Sequence, residues 1–434
     1  MEISELHELF LESQGIATDT RKIKPGQLFF ALKGDNFNGN KFALQALNEG
    51  ADYVVIDEKE YRENEQFIVV ENVLETLQQL ANFHRRFLKL PILAITGSNG
   101  KTTTKELINV VLQKKFKTVA TVGNLNNHIG VPLTILSMDH STEFGIVEMG
   151  ANHPGEIANL SRIAEPDFGY ITNFGKAHLE GFGSIEGVIK AKSELYTWLK
   201  DHQKLIFLNF DDPVQKKQMD YLKIYSFGSS GDAEVTVKYI YDSDTAKVSL
   251  DDGTYTSSLI GSYNAVNIAA AVSIGRYFGI DQSSIKEAIA SYSSQNNRSQ
   301  VVKLGSATII MDAYNANPTS MKAALESFHL LPSSKKIIIL GDMFELGEYA
   351  ITEHQQIVNL LGKLNLDKIF LVGENFSTST SLAANILKFP SFEILKECLK
   401  KLDIQNSFIL IKGSRGMALE RVLDVLKENT EANA

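Results

Sequence analysis

Thr96-Gly97-Ser98-Asn99-Gly100-Lys101-Thr102-Thr103 follows a short apolar run (residues 92–95) and leads into a stretch with Leu107, Ile108, Val111 and Leu112 at helical spacing. A strand, a glycine turn and a helix in that order suit a phosphate cradle. Glycines let backbone N–H groups wrap an anion, and the helix N-terminus adds its dipole. Lys101 supplies a cation for the β/γ oxygens of a nucleotide, and Thr102 offers a hydroxyl to Mg²⁺. Gly97 stands three residues before Gly100, closer than in the usual G-x-x-x-x-G-K-[ST] spacing. The other reading of the residues is a tight turn capped by threonine, but the lysine, the threonine and both flanking elements agree on the cradle. Gly97 and Gly100 do not make G-x-G-x-x-G, which argues against a dinucleotide oxidoreductase.

Outward from this loop, apolar runs near residues 145–148, 168–172 and 204–208 alternate with helical patterns, which predicts α/β layers around a mainly parallel sheet. Residues 235–259 break the rhythm with short polar strands around Asp251-Asp252-Gly253, an antiparallel excursion. Residues 1–88 hold strands near 27–32 and 53–56 and a helix over 74–88 before Pro91. Past residue 300, strands at 337–340, 369–372 and 408–411 each end in a small or polar loop. Ligands of open α/β sheets bind beyond such carboxyl ends. Three units are expected: 1–88, 89–300 and 301–434.

With 434 residues, 44% hydrophobic and 22% charged, the chain can bury several cores. A net charge of −9 argues against a general nucleic-acid binder. Cys398, the only cysteine, cannot build a disulfide framework and reads as packing in a reducing compartment. Residues 1–15 lack a basic stretch followed by an apolar run, and no run approaches 18 apolar residues. A cytoplasmic protein without membrane or nucleic-acid partners is expected.

Several further residues leave two readings open. Glu148 closes an apolar strand, as a Mg²⁺ ligand or as a solvated acid. His178 lies in a loop after the next strand, with Lys190 and Lys192 on the following helix, as site residues or as a polar surface. Asn124, Asn126 and Asn127, and also Asn315 and Asn317, suit uncharged recognition or simply form turns.

Taken in order, GNLNNHIGVPLTIL (123–136), EMGANHPGEI (148–157), AHLEGFGSIEGVIKAK (177–192), DAYNANPTSM (312–321), LGDMFELG (340–347) and KGSRGMALE (412–420) resemble the Mur ligases. The resemblance runs from about Asp19 to Glu420, and GANHPGEI with YNANP resembles the branch that adds D-alanyl-D-alanine. It implies a central P-loop ATPase-type domain flanked by a small N-terminal α/β domain for the UDP-muramoyl peptide and a C-terminal Rossmann-like domain. The activity it implies is ATP-dependent, ADP-forming ligation of D-alanyl-D-alanine to UDP-N-acetylmuramoyl-tripeptide, a step of peptidoglycan synthesis, by a monomer. Another amide ligase of the same build, such as a folate polyglutamate ligase, is the alternative.

By the same resemblance, Gly97, Ser98, Asn99, Gly100, Lys101, Thr102 and Thr103 hold ATP, with Asn264 and Asn267 near adenine and Arg298 and Asp312 at phosphate and ribose. Thr102, Glu148, His178 and Lys192 serve two Mg²⁺ ions, Lys192 as a carbamate. Lys101, His178 and Lys192 form the catalytic set. Thr20, Arg21, Asn126, Asn127, Asn315, Lys412, Ser414 and Arg415 are the implied substrate contacts. The chain departs from the family pattern at Asn38, His128 and Met311, and in Asn297-Arg298-Ser299-Gln300.

Overall fold

The computed structural model describes residues 1–432 apart from 219, 222, 242–244, 296 and 334. Its centre is a seven-stranded, wholly parallel sheet in the order 235–236, 224–228, 205–209, 168–171, 92–96, 144–148 and 118–120. The strand Ile92–Thr96 is buried throughout, as expected where helices cover both faces of a parallel sheet. Alternate residues serve opposite layers. Leu93 and Ile95 pack with Leu107, Ile108 and Val111 of helix Lys101–Leu112 and with Ile268 of helix Asn264–Tyr277. Ile92 and Ala94 face the other way, toward Val188, Leu195 and Leu199 of helix Ile185–Asp201.

The excursion expected at 235–259 is a three-stranded antiparallel sheet, Lys238–Ile240, Thr245–Leu250 and Gly253–Ile260. It is less polar than its composition suggested. Val248, Tyr255 and Leu259 are buried against helices Asn264–Tyr277 and Gln282–Ser291. Val235–Thr236 departs from that expectation, pairing parallel with the central sheet instead.

A four-stranded parallel sheet forms the N-terminal unit: Ile16–Ala17, Leu28–Phe30, Tyr53–Ile56 and Phe67–Val69. Helix Val73–Leu88 joins this unit to the centre. Its Arg85 donates to the carbonyls of Ala164 and Glu165 and to Asp167 Oδ2 at 2.7 Å. On the same helix His84 Nε2 lies 2.9 Å from the carbonyl of Met138, which can only accept. Burial lowers the pKa of both imidazoles and favours their neutral forms, in which His84 Nδ1 accepts from His7 Nε2 at 3.0 Å.

The third unit is a six-stranded sheet in the order 300–304, 307–312, 408–412, 336–341, 368–372 and 386–389. Only Gln300–Leu304 runs antiparallel to its neighbour. The carboxyl ends of Ala307–Asp312 and Phe408–Lys412 therefore lie side by side, with Asp312 level with Lys412. Among the described residues no helix is long and apolar enough to cross a membrane.

Candidate active site

The loop after Ile92–Thr96 turns on two glycines with positive φ, Gly97 at +140° and Gly100 at +78°. A Cβ on Gly97 would fall 2.0 Å from Thr172 Oγ1, and one on Gly100 would fall 2.9 Å from Asn267 Oδ1. Both therefore have to be glycine. The next strand end splints the loop. Ser98 N donates to Asn173 O and Asn99 N to Asn173 Oδ1, both at 3.0 Å, and Thr172 Oγ1 donates to Asn99 O at 2.6 Å. The half-buried Lys101 folds back to place Nζ 2.7 Å from Gly97 O. Burial pulls its pKa below the ordinary lysine value; nearby Glu148 opposes this and Arg298 adds to it.

Two oxygens stand out beside this lysine. Among the described residues, Thr102 Oγ1 and Glu148 Oε2 are buried without a hydrogen-bond partner, while Glu148 Oε1 accepts from Asn126 Nδ2 at 2.8 Å. A buried polar atom left without a partner is costly. Two oxygens at the phosphate loop fit Mg²⁺, which takes few protein ligands and fills its shell from phosphate and water. Among the described residues, no cluster of three His, Cys, Asp or Glu side chains could hold a metal by itself.

Lys192 is fully buried, with Nζ 3.0 Å from the Ala151 carbonyl and 5.1 Å from the centre of the Phe182 ring. Burial, and then the charge of Lys101, hold its pKa well below the usual lysine range. It does not line the cavity but sits behind Ala151, which does. His178, at φ +53°, turns its Nδ1 onto Glu345 of the third unit, and Glu180 N donates to Glu345 O at 3.2 Å. Contact with His178 lowers the pKa of Glu345.

Opposite the phosphate loop, Asn264 and Asn267 are joined at 2.9 Å, and Asn267 Oδ1 accepts from Thr104 Oγ1 at 3.1 Å. Asp312 accepts from Lys412 Nζ at 2.6 Å and from Ser299 N at 3.1 Å. Asn317 Nδ2 reaches Asn99 Oδ1 at 2.7 Å, and Lys176 Nζ reaches Glu353 Oε1 at 2.6 Å. Of these, the bonds of Ser299 to Asp312, Asn317 to Asn99 and Lys176 to Glu353 clamp the central and third units around a cavity of about 630 Å³. Its walls include Ser98, Asn99, Gly100, Lys101 and Thr103 on one side, and Arg298, Asp312, Asn315 and Lys412 on the other.

Some expected contacts lie elsewhere. Thr20 and Arg21 form an outer turn where Arg21 closes on Asp19 at 2.8 and 2.9 Å, and neither lines the cavity. Buried Ser414 braces the wall, accepting from Phe344 N at 2.8 Å. Arg415 is exposed and paired with Glu420. Asn126 lines the cavity but spends its amide on Glu148, and Asn127 Oδ1 caps the amides of Ile129 and Gly130. Tyr314 and Glu345 line the cavity without having been expected. Glu345 stood inside LGDMFELG, but its inward turn comes from φ +60°, which sequence does not display.

Three family models match in succession: the Mur ligase family catalytic domain over residues 12–85, the Mur ligase middle domain over 95–275 and the Mur ligase glutamate ligase domain over 297–415. The UDP-N-acetylmuramoyl-tripeptide–D-alanyl-D-alanine ligase of Bacillus subtilis (strain 168) is 36% identical over 429 residues, which span 96% of this chain and 93% of that one. The chain belongs to the Mur ligase family. Solved Mur ligase structures share its fold. MurF of Acinetobacter baumannii superposes with a TM-score of 0.86 at 30% identity, covering 97% of this chain and 98% of that one. MurF of Thermotoga maritima, solved in complex with ADP, gives 0.86 at 28% identity, covering 98% and 100%.

Proposed function

We propose that this Mur ligase joins D-alanyl-D-alanine to UDP-N-acetylmuramoyl-tripeptide at the expense of ATP, releasing ADP and phosphate. The observation that carries this reading is the cavity shared by the phosphate loop and the third unit, which lets a nucleotide and an acceptor meet. A carboxylate forms an amide only after its oxygen becomes a leaving group. The γ-phosphoryl group passes to the tripeptide carboxylate, the amine attacks the acyl phosphate, and phosphate departs from the tetrahedral intermediate.

In this reading the amides of the loop and Lys101 hold the β/γ oxygens, and Lys101 exchanges the Gly97 carbonyl for phosphate as charge develops. Asn264 and Asn267 border the adenine, Asp312 the ribose, and Arg298 the phosphates. Thr102 would hold one Mg²⁺, and Glu148, His178 and a carbamoylated Lys192 a second; when bound, the metal ions neutralise phosphate charge. Neutral Lys192 is the form that adds CO₂, losing a proton to give a carbamate, and its buried, low-pKa amine supports that role. The clamp of Lys176, Glu353, Asn99 and Asn317 keeps water from the acyl phosphate. Asn315 and Lys412 serve the acceptor side, and Ser414 braces their wall. Thr20 and Arg21 receive the UDP-muramoyl end on the unit spanning 1–88, beside the units 89–300 and 301–434. We place the reaction in the cytoplasm, carried out by a monomer.

Purified protein should release ADP and pentapeptide product one for one when ATP, Mg²⁺, tripeptide precursor and D-alanyl-D-alanine are all present. ADP release that ignores the dipeptide, or ligation of glutamate to a folate in its place, would overturn the assignment.

A further inference from the structure

Arg298 lies in the connector between helix Gln282–Ser291 and strand Gln300–Leu304, flanked by two non-glycine residues with positive φ, Asn297 at +57° and Ser299 at +49°. Such a backbone persists only where its surroundings impose it. Here Ser299 N donates to Asp312 Oδ1 at 3.1 Å, Tyr314 N to Asn297 O at 3.2 Å, and the Ser299 hydroxyl meets Tyr263 OH at 2.8 Å. The connector is therefore pinned by the central and the third unit together.

The side chain it carries is held differently. Among the described residues the Arg298 guanidinium has no carboxylate or carbonyl partner, and its Cζ stands 3.7 Å from the centre of the Tyr314 ring. Arg415 also approaches that ring, at 5.9 Å, but is already paired with Glu420. A carboxylate would neutralise Arg298 and occupy its donors. An aromatic face attracts the cation while leaving the in-plane N–H groups free.

Resting on the nucleotide reading above, we propose that Tyr314 is a positioning residue for the reaction: its ring face presents the partnerless Arg298 guanidinium to the polyphosphate held by the phosphate loop. The tyrosine hydroxyl makes no hydrogen bond among the described residues, so it is the ring face that holds Arg298.

Titration calorimetry with a non-hydrolysable ATP analogue, without peptide substrates, tests this on the full chain. Tyr314→Leu should weaken binding about tenfold, and Tyr314→Phe should stay within about twofold of wild type. Tyr314→Leu combined with Arg298→Ala should bind no more weakly than Arg298→Ala alone, because the ring acts through the arginine. In ligation assays, saturating ATP should restore most of the kcat of Tyr314→Leu, the loss residing in KM. Stepwise fluorination of a phenylalanine at 314 nearly preserves shape while draining the ring face of charge, and affinity should fall with each step. Affinity indifferent to fluorination, additive losses in the double variant, or Tyr314→Phe as weak as Tyr314→Leu would overturn the proposal while the functional reading stands. Wild-type protein with no affinity for the analogue would overturn both.

Discussion

Lys101 and Arg21 are both cations proposed to meet anionic groups of two different substrates, yet they stand in opposite conditions. Lys101 is half-buried, rests on a backbone carbonyl and faces a cavity already shaped around it. Arg21 is exposed and has satisfied itself bidentately on Asp19, two residues away. The first arrangement is preorganised: a phosphate would take over from one backbone carbonyl a charge already held in a poorly hydrated place. The second has to open an internal ion pair that solvent already screens, so it contributes little. The cleft between the central and third units is thus already shaped, whereas Arg21 on the N-terminal turn would first have to leave Asp19.

This contrast ranks the expected effects of mutation. Lys101→Ala should cost ~10²–10³-fold in turnover while leaving thermal unfolding near wild type, measured by coupled ADP release and a melting curve. A folded variant that ligates at the normal rate would remove the phosphate loop from the mechanism. Lys192→Ala should lose nearly as much. Added short-chain carboxylate should restore part of its activity, and removing bicarbonate should reversibly slow the wild type. Full activity of Lys192→Ala in bicarbonate-free buffer would end the carbamate assignment.

Opening the clamp should be milder. Glu353→Gln leaves Lys176 without its anion and should raise acceptor-independent ATP hydrolysis several-fold, on the order of a 1 kcal/mol change. Unaltered hydrolysis would show that Lys176 and Glu353 do not guard the cleft. Arg21→Ala should raise KM for the UDP-linked precursor by about two- to fivefold and leave KM for ATP unchanged. A shift in KM for ATP instead would erase the distinction between the two regions.

The smallest effect lies at the junction of the first two units. Burial lowers the pKa of His7 to about 4, with His84 adding to the effect, and burial lowers His84 as well. Around the pair stand the rings of Phe10, Phe83 and Phe87, with Asp139 and His140 near His84. Both imidazoles bind protons more weakly folded than unfolded. Stability from this pair is therefore full above the unfolded pKa and declines as pH falls from about 6.5 toward 4. The melting temperature should drop between pH 7 and pH 5, and by about 2–4 °C less in His7→Gln. Equal drops would place the acid sensitivity elsewhere.

How much of this was legible follows the same divide. The loop at 96–103 carries its own geometry, because the strand, two glycines and helix that shape it are adjacent in the chain. The continuous apolar runs at 92–95, 337–340 and 408–411 announced strands buried on both faces. Thr118–Ala120 and Ile386–Phe389 escaped notice because they are short and only half-buried, and so carry no alternation. Ala307–Asp312 stayed hidden although it is mostly buried, since Thr308 and Asp312 interrupt its apolar run and it closely follows a half-exposed partner strand. At the site, Thr102, Glu148 and Lys192 could be named from motifs, but the partnerless oxygens and the burial of Lys192 required tertiary packing. Tyr314 and Glu345 remained hidden because a stacking distance and a positive φ leave no trace in residue order.

The cavity draws one wall from residues 98–103 and another from residues 298–317 and 412. A chain growing from its N-terminus completes the phosphate loop early, yet the strand bearing Lys412 enters its sheet between Ala307–Asp312 and Lys336–Gly341, two strands made well before it. Until that late insertion the third sheet has a gap at its middle and Asp312 lacks its cation. Synthesis order thus separates the two walls in time: the nucleotide loop is made some three hundred residues before Lys412 can join Asp312 and finish the opposite side.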